Sequence, residues 1–150
     1  MTPKSPARDP WSLVFVAWLL ASSAMLGALF FGEVMRLPPC TLCWYQRICM
    51  FPLAVILPFA LFPPSRSLPM DRNVVRAVLP LAGAGTLLAT FQVLLVHGVI
   101  PERAQPCSQG VSCAQSVIVW FGFVTIPLLS LLAFTAVTAL LVLAVRRSSE

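Results

Sequence analysis

Two cysteines stand three residues apart in the run Pro38-Pro39-Cys40-Thr41-Leu42-Cys43-Trp44-Tyr45-Gln46-Arg47. A Cys-x-x-Cys pair serves either as a redox couple or as half of a metal site. A helix beginning near Leu42 puts Cys43 and Arg47 at i and i+4, on one face. Cys43 then lies in the first turn, where unpaired backbone N–H groups and the helix dipole favour a thiolate. Arg47 adds a permanent positive charge in the same place. The combination lowers a thiol pKa, and it stands at the head of a long apolar run.

A second pair, Cys107 and Cys113, brackets Ser108-Gln109-Gly110-Val111-Ser112. Five intervening residues with a glycine leave slack enough to close a disulfide ring. Inert staples describe this pair tolerably. They describe Cys40 and Cys43 poorly, because short Cys-x-x-Cys rings beside a positive charge are typically reactive. A zinc or copper site built from the four thiolates, with His97, is the chemical rival. Against it, the second pair lacks tight spacing and Arg47 would repel a cation, so no metal ligand is assigned. The fifth cysteine, Cys49, is six residues beyond Cys43, about 240° round the helix and off the reactive face. It is read as a buried small hydrophobe.

The elements that must position these residues are membrane helices. Of the 150 residues, 59% are hydrophobic and 10% are charged, against about 25% charged in an ordinary soluble domain. Four apolar segments, Trp11–Phe31, Trp44–Phe62, Ala77–Val96 and Ile126–Val145, are each close to the roughly 20 residues that cross a hydrocarbon core of about 30 Å. The sequence therefore predicts an all-α integral membrane protein in the lipid bilayer: one domain over 1–150, a four-helix transmembrane bundle with two external loops. The stretch Ala21-Ser22-Ser23-Ala24 resembles a signal cleavage site, yet the apolar run continues through Phe31, which suits a retained span.

The net charge of +5 points to topology rather than to nucleic acid. Lys4, Arg8, Arg66, Arg72, Arg76, Arg146 and Arg147 fall on one side of the spans, and Arg36, Arg47 and Arg103 on the other. Under the positive-inside rule both termini and the middle loop, Pro63–Val75, are cytoplasmic. All four paired cysteines are then external, where disulfides persist.

Within the spans, Pro52 and Pro58 each remove a backbone donor, which is tolerable where neighbours satisfy the freed carbonyls. Ser22, Ser23, Ala24, Gly27 and Ala28 in the first span, and Gly83 and Gly85 in the third, are small enough for close helix packing. Thr90 and Gln92 are expected to bond to neighbouring helices. His97 reads as an interface residue. Residues 116–125 are too apolar for a free loop and are expected to lie at the membrane interface, anchored by Trp120. Pro127 suits a first helical turn, with Thr125 as its cap.

The run Cys40-Thr41-Leu42-Cys43-Trp44-Tyr45-Gln46-Arg47 resembles the signature of the DsbB family, Cys-x-Leu-Cys-x-x-Gln-Arg at the head of the second of four membrane helices. The external second pair and the Pro-initiated fourth span extend the resemblance over nearly the whole chain. The close spacing of Cys107 and Cys113 resembles the BdbC-like branch. The resemblance implies a protein-dithiol:quinone oxidoreductase of the bacterial cytoplasmic membrane. A reduced DsbA-like thioredoxin-fold partner would attack a Cys107–Cys113 disulfide through Cys107, and that dithiol would reduce a Cys40–Cys43 disulfide. Cys43, as thiolate, would pass electrons to a quinone, ubiquinone or menaquinone, held near Gln46 and Arg47.

Overall fold

A computed structural model describes residues 9–36, 39–63, 70–100, 119–120 and 124–148. Four helices make up most of it: α1 (Pro10–Leu29), α2 (Thr41–Leu61), α3 (Arg72–Val96) and α4 (Ile126–Arg147). Each is long and apolar enough to cross a membrane. The principal packing pairs are α1 with α2, α2 with α3, α3 with α4 and α4 with α1, so the bundle closes on itself. Side chains fully buried in its centre include Val14 from α1, Leu53 and Leu57 from α2, Val75 from α3, and Phe134, Val137 and Leu141 from α4.

Several boundaries differ from the apolar runs, and each difference has a local cause. α1 does not stop in a loop but widens into a π-helical segment, Phe30–Val34, closed by the Met35 N–H on the Phe30 carbonyl at 3.1 Å. α2 starts three residues before its apolar run because Cys40 caps it, its sulfur accepting the Cys43 N–H at 3.3 Å. α3 starts five residues early, at Arg72, because Asp71 accepts the Asn73 N–H at 2.9 Å. Arg72 and Arg76 therefore belong to the helix rather than to the loop. Beyond Val96, α3 is closed by Gly98, whose φ of 70° lets the Gly98 and Val99 N–H groups reach the Leu95 and Leu94 carbonyls, both at 3.0 Å. That is a Schellman closure, and only glycine adopts it without strain.

Pro58 leaves the Ala54 carbonyl without its helical donor, and the Trp18 indole N–H of α1 supplies one at 3.1 Å. Trp11 does the same for the Leu61 carbonyl in the last turn of α2, at 3.3 Å. In hydrocarbon an unpaired backbone group costs several kcal/mol, so these indoles tie α1 to α2 where α2 is weakest. Of the small residues of α1, Ala17 and Ala21 are fully buried and the predicted Ala24 packs against the core half-buried. Ser23 is exposed, and a Cβ on Gly27 would touch nothing within 4 Å. Likewise Gly83 opens onto free space, whereas a Cβ on Gly85 would lie 2.0 Å from Phe134 Cε1.

Before α4, Val119–Trp120 pairs antiparallel with Val124–Thr125, Val119 opposite Thr125. The rest of the 116–125 segment expected at the interface lies outside the described residues. Thr125 takes the N-cap position of α4 without bonding through its side chain, and Pro127, buried, sits in the first turn.

Candidate functional site

The N-cap and first two turns of α2 bring four sequence-predicted residues, Cys40, Cys43, Gln46 and Arg47, to one end of the bundle, beside the last turns of α3 and the π segment after α1. Cys40 and Cys43 are free thiols. Cys40 is buried, 6% exposed, against Leu42 and Leu95, while Cys43 is half-buried beside them. Cys40 is pushed above the usual thiol range, first by its hydrogen bond with the Cys43 side chain, then by burial and the nearby Cys43 charge. The two sulfurs differ in access and in environment although they stand on one helical turn.

Arg47 lies one turn below Cys43 and turns toward α1. Its Nη2 donates to the Ala28 carbonyl at 2.6 Å, two residues before the π segment, and its guanidinium carbon stands 5.6 Å from the Trp44 ring centroid. The guanidinium rests against Gly32, where a Cβ would come within 2.8 Å of Nη2. Arg47 is thus docked on protein, and the carbonyl and aromatic face offset part of the cost of a charge at membrane depth.

Gln46 points the other way, into the bundle. It is 7% exposed, its Nε2 donates to Gln92 Oε1 at 2.6 Å, and its Oε1 accepts from Ser130 Oγ at 2.5 Å. Gln92, 3% exposed, then directs its own Nε2 toward the Cys40 sulfur at 3.5 Å and the Cys43 sulfur at 3.6 Å. So Gln46 and Arg47, adjacent in sequence, serve different neighbours. Thr90, expected to bond a neighbouring helix, is exposed and donates to the Thr86 carbonyl of its own helix at 2.8 Å instead. Ser130 gave no signal in the sequence; a lone serine in an apolar helix becomes informative only when its facing residue is known.

Cys49 is buried, 7% exposed, in the apolar core with Met50 and Leu53. His97 is exposed beyond the last turn of α3. Cys107 and Cys113 lie outside the described residues.

The model of the family described as disulfide bond formation protein DsbB matches residues 10–144. The chain belongs to the DsbB family. A probable disulfide formation protein of Metapseudomonas resinovorans is 43% identical over 150 residues, 99% of each chain. Disulfide bond formation protein C of Bacillus subtilis is 39% identical over 137 residues, 91% of this chain and 95% of that one. A probable disulfide formation protein of Deinococcus radiodurans is 40% identical over 136 residues, 85% of each. No solved structure matches the chain. As a DsbB-family protein with four spanning helices, it is a multi-pass membrane oxidoreductase of disulfide formation.

Proposed function

We propose that this DsbB-family protein is a thiol:quinone oxidoreductase that reoxidises a DsbA-like thioredoxin-fold dithiol protein, with Cys40, Cys43, Cys107 and Cys113 as its redox residues. The observation that carries the proposal is the asymmetry of the first pair. Cys40 is buried, whereas Cys43 is half-buried one turn above a docked arginine. In this reading the partner's dithiol attacks a Cys107–Cys113 disulfide and leaves as a disulfide, and the loop dithiol in turn reduces Cys40–Cys43. Each exchange moves two electrons and two protons and forms one S–S bond for each one broken.

The residues around Cys43 suit a quinone headgroup. Trp44 and Tyr45 are exposed on the outer surface of α2, and Arg47 sits in the space that the missing Cβ of Gly32 leaves. A quinone, ubiquinone or menaquinone, supplies the oxidising power, taking up the two electrons and two protons released as Cys40 and Cys43 close to a disulfide. Arg47 would bind and orient the headgroup. Gln46 would stand in the wall behind Cys43, held by Gln92 and Ser130. Trp44 and its neighbours would exclude water from the sulfur.

The pair and the end of α3 that carries His97 share one end of the bundle, and the helix termini bearing Arg72, Arg76, Arg146 and Arg147 lie at the other. This supports cytoplasmic termini, external cysteines and a bacterial cytoplasmic-membrane location under the positive-inside rule. Residues 116–125 would then rest at the external interface. The test is anaerobic reduction of a quinone by purified protein supplied with a reduced thioredoxin-fold dithiol protein. Turnover that needs both substrates and all four cysteines is expected. A protein that binds stoichiometric zinc or copper through these cysteines and reduces no quinone would instead be a metal-binding or transport protein.

A further inference from the structure

Gln92 is an uncommon residue to find fully enclosed in a membrane helix, and its bonding has a direction. Ser130 Oγ donates to Gln46 Oε1, and Gln46 Nε2 donates to Gln92 Oε1. With its oxygen so engaged, Gln92 has only its N–H groups to present on the opposite side, and there it meets both sulfurs of the pair. The chain runs from α4 through α2 to α3 and back to the first turn of α2. Among the described residues, Gln46 and Gln92 are the only buried polar side chains, and they form one connected chain ending on the cysteines.

We propose that Gln92 is a positioning residue for the Cys40–Cys43 pair: held by Gln46 and Ser130, it presents amide N–H groups to both sulfurs and favours the dithiol state in which one sulfur carries negative charge.

The chemistry of the groups supports the direction. An N–H that faces a sulfur stabilises a thiolate and does little for a disulfide, whose sulfurs are poor acceptors. Stabilising the reduced form makes a disulfide a stronger oxidant, as it does in strongly oxidising thioredoxin-fold proteins. The serine end matters because a hydroxyl both donates and accepts. If the Ser130 hydroxyl accepted instead, the chain could reverse and turn the Gln92 oxygen toward sulfur. A negative charge on sulfur selects the donating direction, so the chain is tied to the state of the pair. The distances of 3.5 and 3.6 Å to sulfur make each bond individually weak, and the effect comes from two such contacts fixed by a well-bonded chain.

The inference rests on the pair being redox-active, and its test uses neither quinone nor protein partner. Full-length protein is equilibrated in thiol–disulfide buffers, and the state of the peptide carrying Cys40 and Cys43 is read by alkylation and mass spectrometry. Gln92→Met removes the donors at nearly constant shape. Gln92→Leu, likewise without donors, is the second variant, which keeps the test if the methionine protein does not fold. Both should shift the dithiol–disulfide equilibrium about tenfold toward disulfide, about 30 mV for two electrons, and slow Cys43 alkylation by a similar factor. Ser130→Ala should move both readouts in the same direction by about twofold, a figure set by one neutral hydrogen bond acting at a distance. Thr86→Val, which breaks the 3.1 Å Thr86–Thr138 bond between the same two helices, should lower thermal stability and leave both readouts unchanged. Unchanged readouts in a folded Gln92 variant, with an active wild-type pair, would overturn the inference alone; so would an equal shift in Thr86→Val. A wild-type pair that never exchanges with the buffer would overturn it together with the redox reading.

Discussion

The two ends of this bundle are held in different ways. Around Leu53, Leu57, Val75, Val137 and Leu141 the helices meet through fully buried aliphatic side chains. The polar contacts there are isolated: indole donors mending carbonyls that Pro58 and the α2 terminus leave open, and the single Thr86–Thr138 bond between α3 and α4. Around Cys40 and Cys43 the contacts are a chain of hydrogen bonds running from Ser130 to the sulfurs, and a charge docked on a carbonyl and a ring. Shape sets the first region and donor placement sets the second. A substitution that changes volume should therefore appear as lost stability at one end, and one that moves a donor should appear as altered chemistry at the other.

The largest expected effect separates the cysteines themselves. Cys40→Ala and Cys43→Ala should each abolish quinone reduction, because a single thiol cannot close a disulfide. Cys107→Ser or Cys113→Ser should block oxidation of the protein partner and leave the first pair reactive toward small dithiols. Cys49→Ala, in the apolar core, should retain turnover and lose only stability. Turnover assays on all five variants check this, and loss of activity in a folded Cys49→Ala protein would erase the contrast between the two regions.

Next comes the shape-determined end. Gly85→Ala places a Cβ 2.0 Å from a fully buried Phe134 ring, which has no free space to retreat into. Overpacking of that kind costs about 1–3 kcal/mol, read as a lower unfolding temperature in detergent. Gly83→Ala, two residues away and facing open space, should be neutral or slightly stabilising. Equal unfolding temperatures for the two would mean that α3 and α4 do not pack as described. Neither substitution should alter the redox equilibrium of the pair.

How far the sequence already disclosed this division depends on the range of each interaction. The four spans were legible because an apolar run is a local property, and so was the Cys43–Arg47 relation, which needs only helical spacing. The early start of α3 was hidden because an average over apolar residues discounts a polar first turn, although Asp71-Arg72-Asn73 contains the cap. Gly83 and Gly85 were indistinguishable, since only the position of Phe134 on another helix separates them. Gln92 was visible as a polar residue needing a partner, but Ser130 and the direction of the chain required the packing of three helices. Gln46, which the resemblance puts near a quinone together with Arg47, faces Gln92 and Ser130 in the bundle, about 100° round the helix from its neighbour; those two partners were not legible in the sequence.

Arg47→Ala should weaken quinone use about ten- to hundredfold, the equivalent of one charge-assisted hydrogen bond of about 1.5–3 kcal/mol. The fold should survive, because the guanidinium is held at the edge of the bundle. Arg47→Lys should recover only part of the loss, since an ammonium lacks the planar fork that bonds a carbonyl and a second acceptor together. The quinone KM and the rate of Cys43 alkylation for the three proteins decide the matter. Full recovery by lysine would reduce Arg47 to a membrane anchor and make the cysteine end no more directional than the other.

The smallest effect is also the sharpest test of the contrast, because it sets Gly32 against Gly85. Both glycines stand where a Cβ would collide, at 2.8 Å from Arg47 Nη2 in one case and 2.0 Å from Phe134 in the other. The obstacle differs in kind. An aromatic ring in the core cannot move, whereas the far end of an arginine can swing aside at little cost to the fold. Gly32→Ala should therefore leave the unfolding temperature nearly unchanged while displacing the guanidinium from the Ala28 carbonyl and the Trp44 face. One neutral-strength hydrogen bond, about 0.5–1.5 kcal/mol, corresponds to a rise in the quinone KM of about two- to tenfold. Gly27→Ala, on the same helix with nothing within 4 Å of its Cβ, controls for the change in helix propensity. If Gly32→Ala raises the KM and Gly27→Ala does not, Arg47 acts from the position in which α1 holds it. If Gly32→Ala instead lowers stability as Gly85→Ala does and spares the KM, the π segment is a packing element, and the cysteine end obeys the same rule as the rest of the bundle.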